Sequence, residues 1–516
     1  MVGMTPRSLR VSAFWLALVM LWLGCLTLFV ATTVASVSPD ALPTAAALAL
    51  FGLTSSLIWV SGARHAGLWL ASQRARAGGN SAHAAPSTSV GAGARVALLY
   101  CTADDFNAPA LAQSMRQDRP VSTLILDDST TATGRAEVDE FAAQHDVLVV
   151  RRELRTGYKA GNLNHAIADL HSAADFVVIL DSDEVIPADF VSRALGHLQD
   201  PRVGIVQARH IARAGTTAFS QTFSGMLGTH IASTQPGRTL IGMSNFMGRG
   251  AMVRLAAYRA AGGIPELVCE DVAFSIAMRR AGYRIVYAHD LVSEEDYPVD
   301  YGAFRTQHLK TTQGAIELLM TSRRDLVGRG LRMGEKLDIV FELAVIPVTA
   351  LAGVMLAVAS LALAALGSVS LIPLWVAVIT AVLAAVPLLP ETTRLLVAEG
   401  PVASVRFFLV ASALYSSTLL ATVWTATAVL LGRRAVFRVT PKRQARPRPA
   451  AALGRLVPEV VVAAGFAVLA LTSTGTAAPA LTVLGSVGAH LFFTGAGAMR
   501  GRPMRTGSRS PELQVS

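Results

Sequence analysis

The chemistry-bearing residues of this chain are carboxylates in four groups: Asp104-Asp105, Asp127-Asp128, Asp181-Ser182-Asp183-Glu184 and Glu270-Asp271. Asp181 and Asp183, spaced i and i+2, are suited to present hard oxygen ligands to Mg²⁺ or Mn²⁺. A cation there would bridge substrate phosphates that so much acid would otherwise repel. Asp271 stands just before Val272–Arg280, where Phe274, Ile276 and Ala277 suggest a helix ending at Gly282. Each motif alone has an ordinary explanation, because Asp favours turns after strands and caps helices. The case for chemistry rests on their occurring together.

The elements that must position them are legible as short apolar runs. Val96–Tyr100, Val121–Leu126, Val147–Val150 and Phe176–Leu180 read as strands, and Ala108–Gln117, Arg135–Ala143 and Gly161–Leu170 as the helices between them. Strands alternating with helices predict a mostly parallel, doubly wound sheet. Three of the strands run into acids, and ligands of open α/β sheets sit beyond the carboxyl ends of strands. The carboxylates are therefore expected to converge.

The 516 residues are 52% hydrophobic and 16% charged, with a formal net charge of +10 and a mean hydropathy of +0.47. Soluble domains carry about 25% charged residues, so an ordinary soluble enzyme and a disordered chain are both excluded. A membrane protein with basic cytoplasmic surfaces accounts for hydropathy and charge together. Cys25, Cys101 and Cys269 are too far apart for a disulfide framework or a cysteine metal site.

Val11–Val37 follows Arg7 and Arg10 and is long enough to span. The alternative, a cleaved signal peptide, has a core of only about 7–15 residues. Ala45–Val60, extending toward Leu70, makes a second span. No Lys or Arg precedes it in Ser36–Pro43, whereas Arg64, Arg74 and Arg76 follow, so residues 1–74 are expected to form a hairpin with both ends cytoplasmic. A Gly/Ala/Ser linker (75–94) and a water-soluble domain (95–336) come next. Beyond lie Ile339–Leu366, Leu371–Leu389, Phe407–Leu431, Val457–Thr472 and Pro479–Phe493. If Phe407–Leu431 crossed, Arg433, Arg434, Arg438, Lys442, Arg443, Arg446 and Arg448 would lie outside, against the positive-inside rule. The expectation is six crossings in pairs: hairpins over 337–390 and 457–499, an interfacial or re-entrant segment with a basic stretch over 391–456, and a basic tail over 500–516. Phe407–Leu431 is nonetheless hydrophobic enough to span. The basic clusters adjoin apolar segments and are expected to face anionic lipid headgroups rather than nucleic acid.

Taken in order, these residues resemble family 2 glycosyltransferases, specifically the membrane-embedded cellulose synthase-like branch. The resemblance runs from about Arg95 to Lys442, and its most specific string is Lys159-Ala160-Gly161-Asn162-Leu163-Asn164-His165-Ala166. Gln207 and His210 resemble the family's V-Q-x-x-H segment. Phe437-Arg438-Val439-Thr440-Pro441-Lys442 is similar to the F-x-V-T-x-K gating loop of bacterial cellulose synthases. There the loop is cytoplasmic and follows an interfacial helix.

The resemblance implies an α/β GT-A-like domain inserted between transmembrane hairpins, using a UDP-sugar donor with Mg²⁺ or Mn²⁺. Asp127 or Asp128 and Lys159 would hold the uridine and ribose, with Asp104 near the same nucleotide. Asp181 and Asp183 would bind the sugar and the diphosphate-bound metal. Asp271, beside Glu270, would be the general base that takes the acceptor hydroxyl proton, giving inversion. Phe437, Val439, Thr440 and Lys442 would form the gating loop.

Two departures bear on the acceptor. The family's Q-x-x-R-W motif falls at Gln307-His308-Leu309-Lys310-Thr311, where Lys310 can neutralise diphosphate as a point charge but not in bidentate fashion. Thr311 removes the aromatic platform for an acceptor sugar. Phe246-Met247-Gly248-Arg249 stands where F-C-G-S is usual. The expected activity is elongation and translocation of a β-linked polysaccharide, the alternative being transfer of one sugar to a lipid or short acceptor. No C-terminal PilZ-type domain is read, so activation through one is not expected, and an accessory subunit is left open. Glu342 either lines a glycan path or reaches the interface beside Lys336.

Overall fold

The computed structural model describes residues 6–34, 37–38, 41–77, 93–170, 173–213, 217–328, 330–436, 457–476 and 480–499. Two N-terminal helices, α1 (Pro6–Phe29) and α2 (Leu42–Ala77), precede an α/β domain. Helix α2 continues three residues into the expected linker, because Arg76 at its end donates to the carbonyl of Ala232 at 2.6 Å and is held against the domain.

The domain alternates β1 (Val96–Thr102), α3 (Ala108–Ser114), β2 (Val121–Asp127), α4 (Ala132–His145), β3 (Leu148–Val150), α5 (Tyr158–Asp169), β4 (Phe176–Asp181) and α6 (Phe190–His197). It continues with β5 (Val203–Ala212), α7 (Ala218–Ile241), β6 (Ala251–Arg254), α8 (Leu255–Ala260), α9 (Glu270–Arg280), β7 (Arg284–Glu295), α10 (Tyr301–Thr321) and α11 (Arg323–Val327). The seven strands form one sheet in the order β3-β2-β1-β4-β6-β5-β7. Only the pairs involving β6 are antiparallel, so the mostly parallel α/β sheet expected between apolar helices is the one observed.

Burial explains why the strands read as continuous apolar runs, since all seven residues of β1 are buried. Leu163, Ile167, Phe274 and Met278 of α5 and α9 pack on one face. Leu111, Val138, Phe141, Phe190 and Leu195 of α3, α4 and α6 pack on the other. Local chemistry sets the helix starts: Asn107 accepts from the Ala110 amide at 3.2 Å, Thr131 from Gly134 at 3.1 Å and Asp300 from Ala303 at 2.9 Å.

After the domain come α12 (Met333–Ala365), α13 (Leu374–Ala385), α14 (Leu389–Ala398), α15 (Pro401–Ser416), α16 (Leu419–Leu430), α17 (Val457–Thr474) and α18 (Leu481–Met499). Among the described residues five helical stretches are long and apolar enough to cross a membrane: Ala13–Val34, Leu42–Arg76, Met333–Ala365, Leu374–Ala398 and Pro401–Leu430. Glu459–Thr474 and Leu481–Thr494 are shorter apolar helices. Five such helices are consistent with a multi-pass membrane protein. The Pro401–Leu430 stretch breaks at Ser417 and Thr418. Its first half packs Phe407, Ala411 and Leu414 against Phe223 and Met226 of α7 and Phe304 of α10.

A buried ionic cluster joins the apolar helices to the domain. Arg64 of α2 donates to Asp338 at 2.6 Å and to Glu342 at 3.1 Å on α12. Arg238 of α7 reaches the same two carboxylates at 2.8 and 3.4 Å. Glu342 is thereby placed between two guanidiniums. Asp338 also accepts from the Met243 amide at 3.1 Å, so the chain leading to Phe246–Gly250 is anchored on the apolar helices.

Candidate active site

Parallel register brings three acidic strand ends level. Thr102 pairs with Asp127 and Cys101 with Asp181, so the β1, β2 and β4 termini emerge along one edge of the sheet. Asp104 and Asp105 follow β1 directly. Asp105 accepts from the Ala103 amide at 2.9 Å and from the Ser182 hydroxyl at 2.6 Å, tying the β1 exit to the Asp181–Asp183 loop.

The structure gives each predicted residue a distinct environment. Asp104 sits at φ +62°. Its carboxylate accepts from the amides of Thr130 and Thr131 at 2.9 Å and from both hydroxyls at 2.6 Å. These bonds outweigh its slight burial and hold its pKa well below the carboxylate range. Asp127 is buried and accepts from Arg151 at 2.7 Å and from the Ser129 amide at 2.8 Å. Asp128 takes a two-pronged contact from Arg152, at 3.0 and 2.7 Å.

Lys159 projects from the first turn of α5, where a Cβ on Gly161 would lie 2.2 Å from the Thr156 carbonyl. That close approach requires the glycine in the Lys159–Ala166 string. Lys159 Nζ contacts the Asp181 carboxylate and donates to the Gly248 carbonyl at 2.8 Å. Burial opposes its charge, but Asp181 beside it raises its pKa. Asp183 is buried, accepts from the Asp296 amide at 3.2 Å, and has its own carbonyl bound by Arg213.

Glu270 and Asp271 open α9, with Asp271 accepting from the Val272 amide at 2.8 Å. Burial raises both carboxyl groups, and for Glu270 burial together with the neighbouring Asp271 charge takes it to about 7. Gly248, at φ +82°, joins the acid pairs: a Cβ there would lie 3.7 Å from both Asp271 Cβ and Glu270 Oε1. Its carbonyl meanwhile meets Lys159. Lys310 on α10 lies in the field of Glu270, Asp181 and Asp271. Burial nevertheless holds its pKa below the usual lysine value. Gln307, one turn earlier, has a buried side-chain oxygen without a hydrogen-bond partner. Phe437, Val439, Thr440 and Lys442 lie outside the described residues. Immediately before them, the Val436 amide donates to Gln313 of α10 at 3.3 Å.

A brace behind the site was not foreseen as a unit. Arg249 pairs with Glu295 and stands 3.8 Å from Asp181. His210 lies 3.6 Å from Glu184 and 3.5 Å from Glu295. These three side chains are close enough to hold a metal. Their ligand atoms are already engaged, however. Glu184 accepts from the amides of Asp181 and Gly250 and from the Ser293 hydroxyl, each at 3.0 Å, and Glu295 is neutralised by Arg249. Burial pushes Glu184 up to about 8 and His210 down to about 4. A Cβ on Gly250, at φ +56°, would lie 2.6 Å from His210 Nε2, so glycine is required where this brace meets β6. The fit is that of a support for the Asp181 loop. The sequence signal available for it was the V-Q-x-x-H segment, in which Gln207 binds the Met247 amide at 2.8 Å and the Arg249 carbonyl at 2.9 Å.

An α/β sheet with carboxylates at its strand ends, built onto long apolar helices, defines a membrane-associated enzyme class. Residues 176–431 match the family model described as "Glycosyl transferase family group 2", which makes that region a family 2 glycosyltransferase domain. The chain is 27% identical over 213 residues to a probable glucomannan 4-beta-mannosyltransferase 15 of Arabidopsis thaliana, covering 39% of this chain and 40% of that protein. It is 29% identical over 201 residues to the glucans biosynthesis glucosyltransferase H of Rhodopseudomonas palustris, covering 36% and 28% respectively. The match thus spans two fifths or less of these relatives' length. Among solved structures, the mannosyltransferase PcManGT of Pyrobaculum calidifontis in complex with GDP-Man and Mn²⁺ is 21% identical. It covers 73% of this chain and 99% of that one, with a TM-score of 0.48.

Proposed function

We propose that this chain is an inverting transferase that moves a sugar from a UDP-sugar onto a growing β-linked glycan and passes the product through its own helices. The observation that carries the proposal is the position of Gly248, with Lys159 and Asp181 on one side and Glu270 and Asp271 on the other. A donor diphosphate and an acceptor hydroxyl need such opposed chemistries within one sugar's width. The names of the plant mannosyltransferases and the bacterial glucosyltransferase support a hexose polymer of the β-glucan or mannan type.

In this mechanism Asp271 accepts the proton of the acceptor hydroxyl as its oxygen bonds to the anomeric carbon and the bond to the diphosphate breaks. Its pKa, raised by burial, makes it a stronger base. Lys159 and Lys310 balance charge on the departing diphosphate. Asp127, Asp128 and Gln307 would position the nucleotide-sugar, and Asp104 fixes the Asp128–Thr131 loop beside it. Asp181 and Asp183 are a hard-oxygen donor set fitted to Mg²⁺ or Mn²⁺, and that ion supplies electrostatic stabilisation of the leaving diphosphate when bound.

For topology we propose cytoplasmic placement of the domain and crossings in three pairs, over 1–74, 337–390 and 457–499. Residues 75–94 would act as the linker, 95–336 as the catalytic domain and 500–516 as a basic tail. The packing of α15 on α7 and α10 supports an interfacial role for residues 391–456, ahead of the gating-loop string. The acceptor is a glycan or lipid-linked sugar. Purified protein in lipid, supplied with radiolabelled UDP-sugars and Mg²⁺ or Mn²⁺, is expected to release UDP and make long polymer. Products extended by a single sugar would instead establish transfer to a short or lipid acceptor, the outcome favoured by Thr311. Absence of turnover with every donor would refute the proposal.

A further inference from the structure

A cleft of about 380 Å³ lies between the starts of β5 and β7, the flank of α9 and the first turn of α12. Four arginines line it: Arg202 and Arg284 at the strand starts, Arg279 on α9 and Arg332 just before α12. β4 and β5 both pair antiparallel with β6, so they run the same way. The starts of β5 and of its parallel neighbour β7 therefore lie on the sheet edge opposite the carboxylates. The volume is within the range of about 300–1,000 Å³ typical of ligand sites.

Charge in the cleft is not balanced. Glu335 lines it with the arginines, and accepts from Arg279 at 2.8 Å and from the Arg332 amide at 2.9 Å. Asp200, just outside the wall, meets Arg284 at 2.7 Å and Arg202 at 3.2 Å. Asp338, one turn beyond Glu335, is already held by Arg64 and Arg238. Four guanidiniums thus share two carboxylates, and a concave wall concentrates the positive potential that remains. Arg202 and Arg332 stand exposed at the rim, while Ser244 and Ser275 are buried in the floor. Planar guanidiniums over hydroxyls suit a phosphate, whose oxygens accept charge-assisted and bidentate bonds.

The setting bears on where that phosphate comes from. Gly242 of the cleft wall adjoins Ile241, whose carbonyl accepts from the Trp15 indole at 3.3 Å, near the start of the apolar stretch Ala13–Val34. With α12 crossing the bilayer, Arg332 precedes Ile339 in its apolar run by about 10 Å at 1.5 Å per residue. A headgroup layer of about 5–7 Å per leaflet is then within an arginine's reach.

We propose that Arg202, Arg279, Arg284 and Arg332 form a binding cleft for a phosphate-bearing anion, separate from the carboxylate site, with an anionic phospholipid headgroup as the occupant its position favours. The cleft shares a wall with the catalytic loop, because the Ser275 hydroxyl accepts from the Phe246 amide at 2.9 Å and donates to the Asp271 carbonyl at 2.8 Å.

The test is thermal unfolding of the full chain in nanodiscs, which reads binding without turnover and so stands or falls separately from the transferase reading. Replacing part of the phosphatidylcholine by phosphatidylglycerol is expected to raise the melting temperature by a few degrees. Inorganic phosphate titrated into phosphatidylcholine discs at constant ionic strength is the second arm, and a saturable rise there would support the same cleft with a soluble occupant. Arg202→Gln/Arg332→Gln should shrink whichever rise the wild type shows several-fold. It should leave the melting temperature without anion nearly unchanged, because both side chains are exposed and surface ion pairs contribute little. Arg284→Gln alone should shrink the rise by a smaller factor. Lys159→Ala, in the carboxylate site, and Arg433→Gln/Arg434→Gln, outside the cleft, should retain it. An undiminished rise in Arg202→Gln/Arg332→Gln, loss of the rise in either control, or no rise in the wild type with either anion would each overturn the proposal.

Discussion

Lys159 bridges the Asp181 carboxylate and the Gly248 carbonyl, the latter at 2.8 Å, and so links the end of β4 to the loop that touches Glu270 and Asp271. One ammonium thereby compensates the Asp181 carboxylate and fixes the Gly248 carbonyl, which in the proposed mechanism sets the height of the loop between donor and acceptor. Lys159→Met is expected to lower kcat/KM for the UDP-sugar by about 100-fold, the magnitude of losing one preorganised charge partner. The melting temperature should change little, since the contact is at the rim of the sheet. Steady-state UDP release and UDP binding by titration measure the two effects separately. Unaltered donor kinetics would place the diphosphate elsewhere.

The Glu270–Asp271 pair gives a pH prediction with a definite sign. Both carboxyl groups are raised by burial, so the proposed base Asp271 takes up its proton above the ordinary aspartate range and activity should fall on the acid side as pH drops toward it. The two protons belong to the pair rather than to either residue. Glu270→Gln leaves one titrating carboxyl, so the acid limb should become a single simple titration, still displaced upward by the burial of Asp271. Asp271→Asn should cut kcat by about 10²–10⁴ at every pH. The stability contribution has the same origin. With the folded pKa above the unfolded value, Glu270 favours the fold fully below the ordinary glutamate range and loses that contribution as pH rises to about 7. A kcat–pH profile and thermal melts over that interval check both.

How much of this was visible in the sequence depends on the range of the contacts. Val96–Tyr100 and Phe176–Leu180 announced themselves because strands buried on both faces read as unbroken apolar runs. The acids after them were legible because the chain must exit the sheet there. Asp271 at a helix start was equally local, and α9 begins one residue before it. By contrast, Glu184 and Glu295 meet across the sheet through His210, and no pattern around either residue encodes that partner. Arg64 was legible only as a marker of topology and Glu342 only as an intramembrane acid. That Arg64 and Arg238 would bind the same two carboxylates is decided by how α2, α7 and α12 cross.

That cluster makes a stability prediction. Asp338 is almost fully buried and receives Arg64, Arg238 and the Met243 amide. Asp338→Asn would leave two guanidiniums short of charge in a dry interface, and breaking a buried pair from one side costs about 3–5 kcal/mol. A large fall in melting temperature is expected in lipid nanodiscs. Part of it should be recovered when Arg64 is also replaced by Met, because the stranded charge is then removed. If the double variant were no better than Asp338→Asn alone, Arg64 would not depend on Asp338 for its compensation. Activity should fall with stability here, since Met243 leads into the Phe246–Gly250 loop.

Asp104 supplies a prediction of the opposite kind, an acid near the site whose effect on the donor is indirect. Its carboxylate accepts from the amides and hydroxyls of Thr130 and Thr131, and the same bonds hold its pKa low. The residue is exposed, so water competes for each of these bonds, and Asp104→Ala should cost about 1 kcal/mol of stability. The loop it fixes also carries Asp128, whose carboxylate is held by Arg152 at 2.7 Å. Donor KM should therefore rise only a few-fold in Asp104→Ala and much more in Asp128→Ala. Asp104→Asn should recover part of the loss, because the amide oxygen still accepts from one threonine. A donor KM more sensitive to Asp104 than to Asp128 would mean that Asp104 leaves its threonines and meets the nucleotide itself.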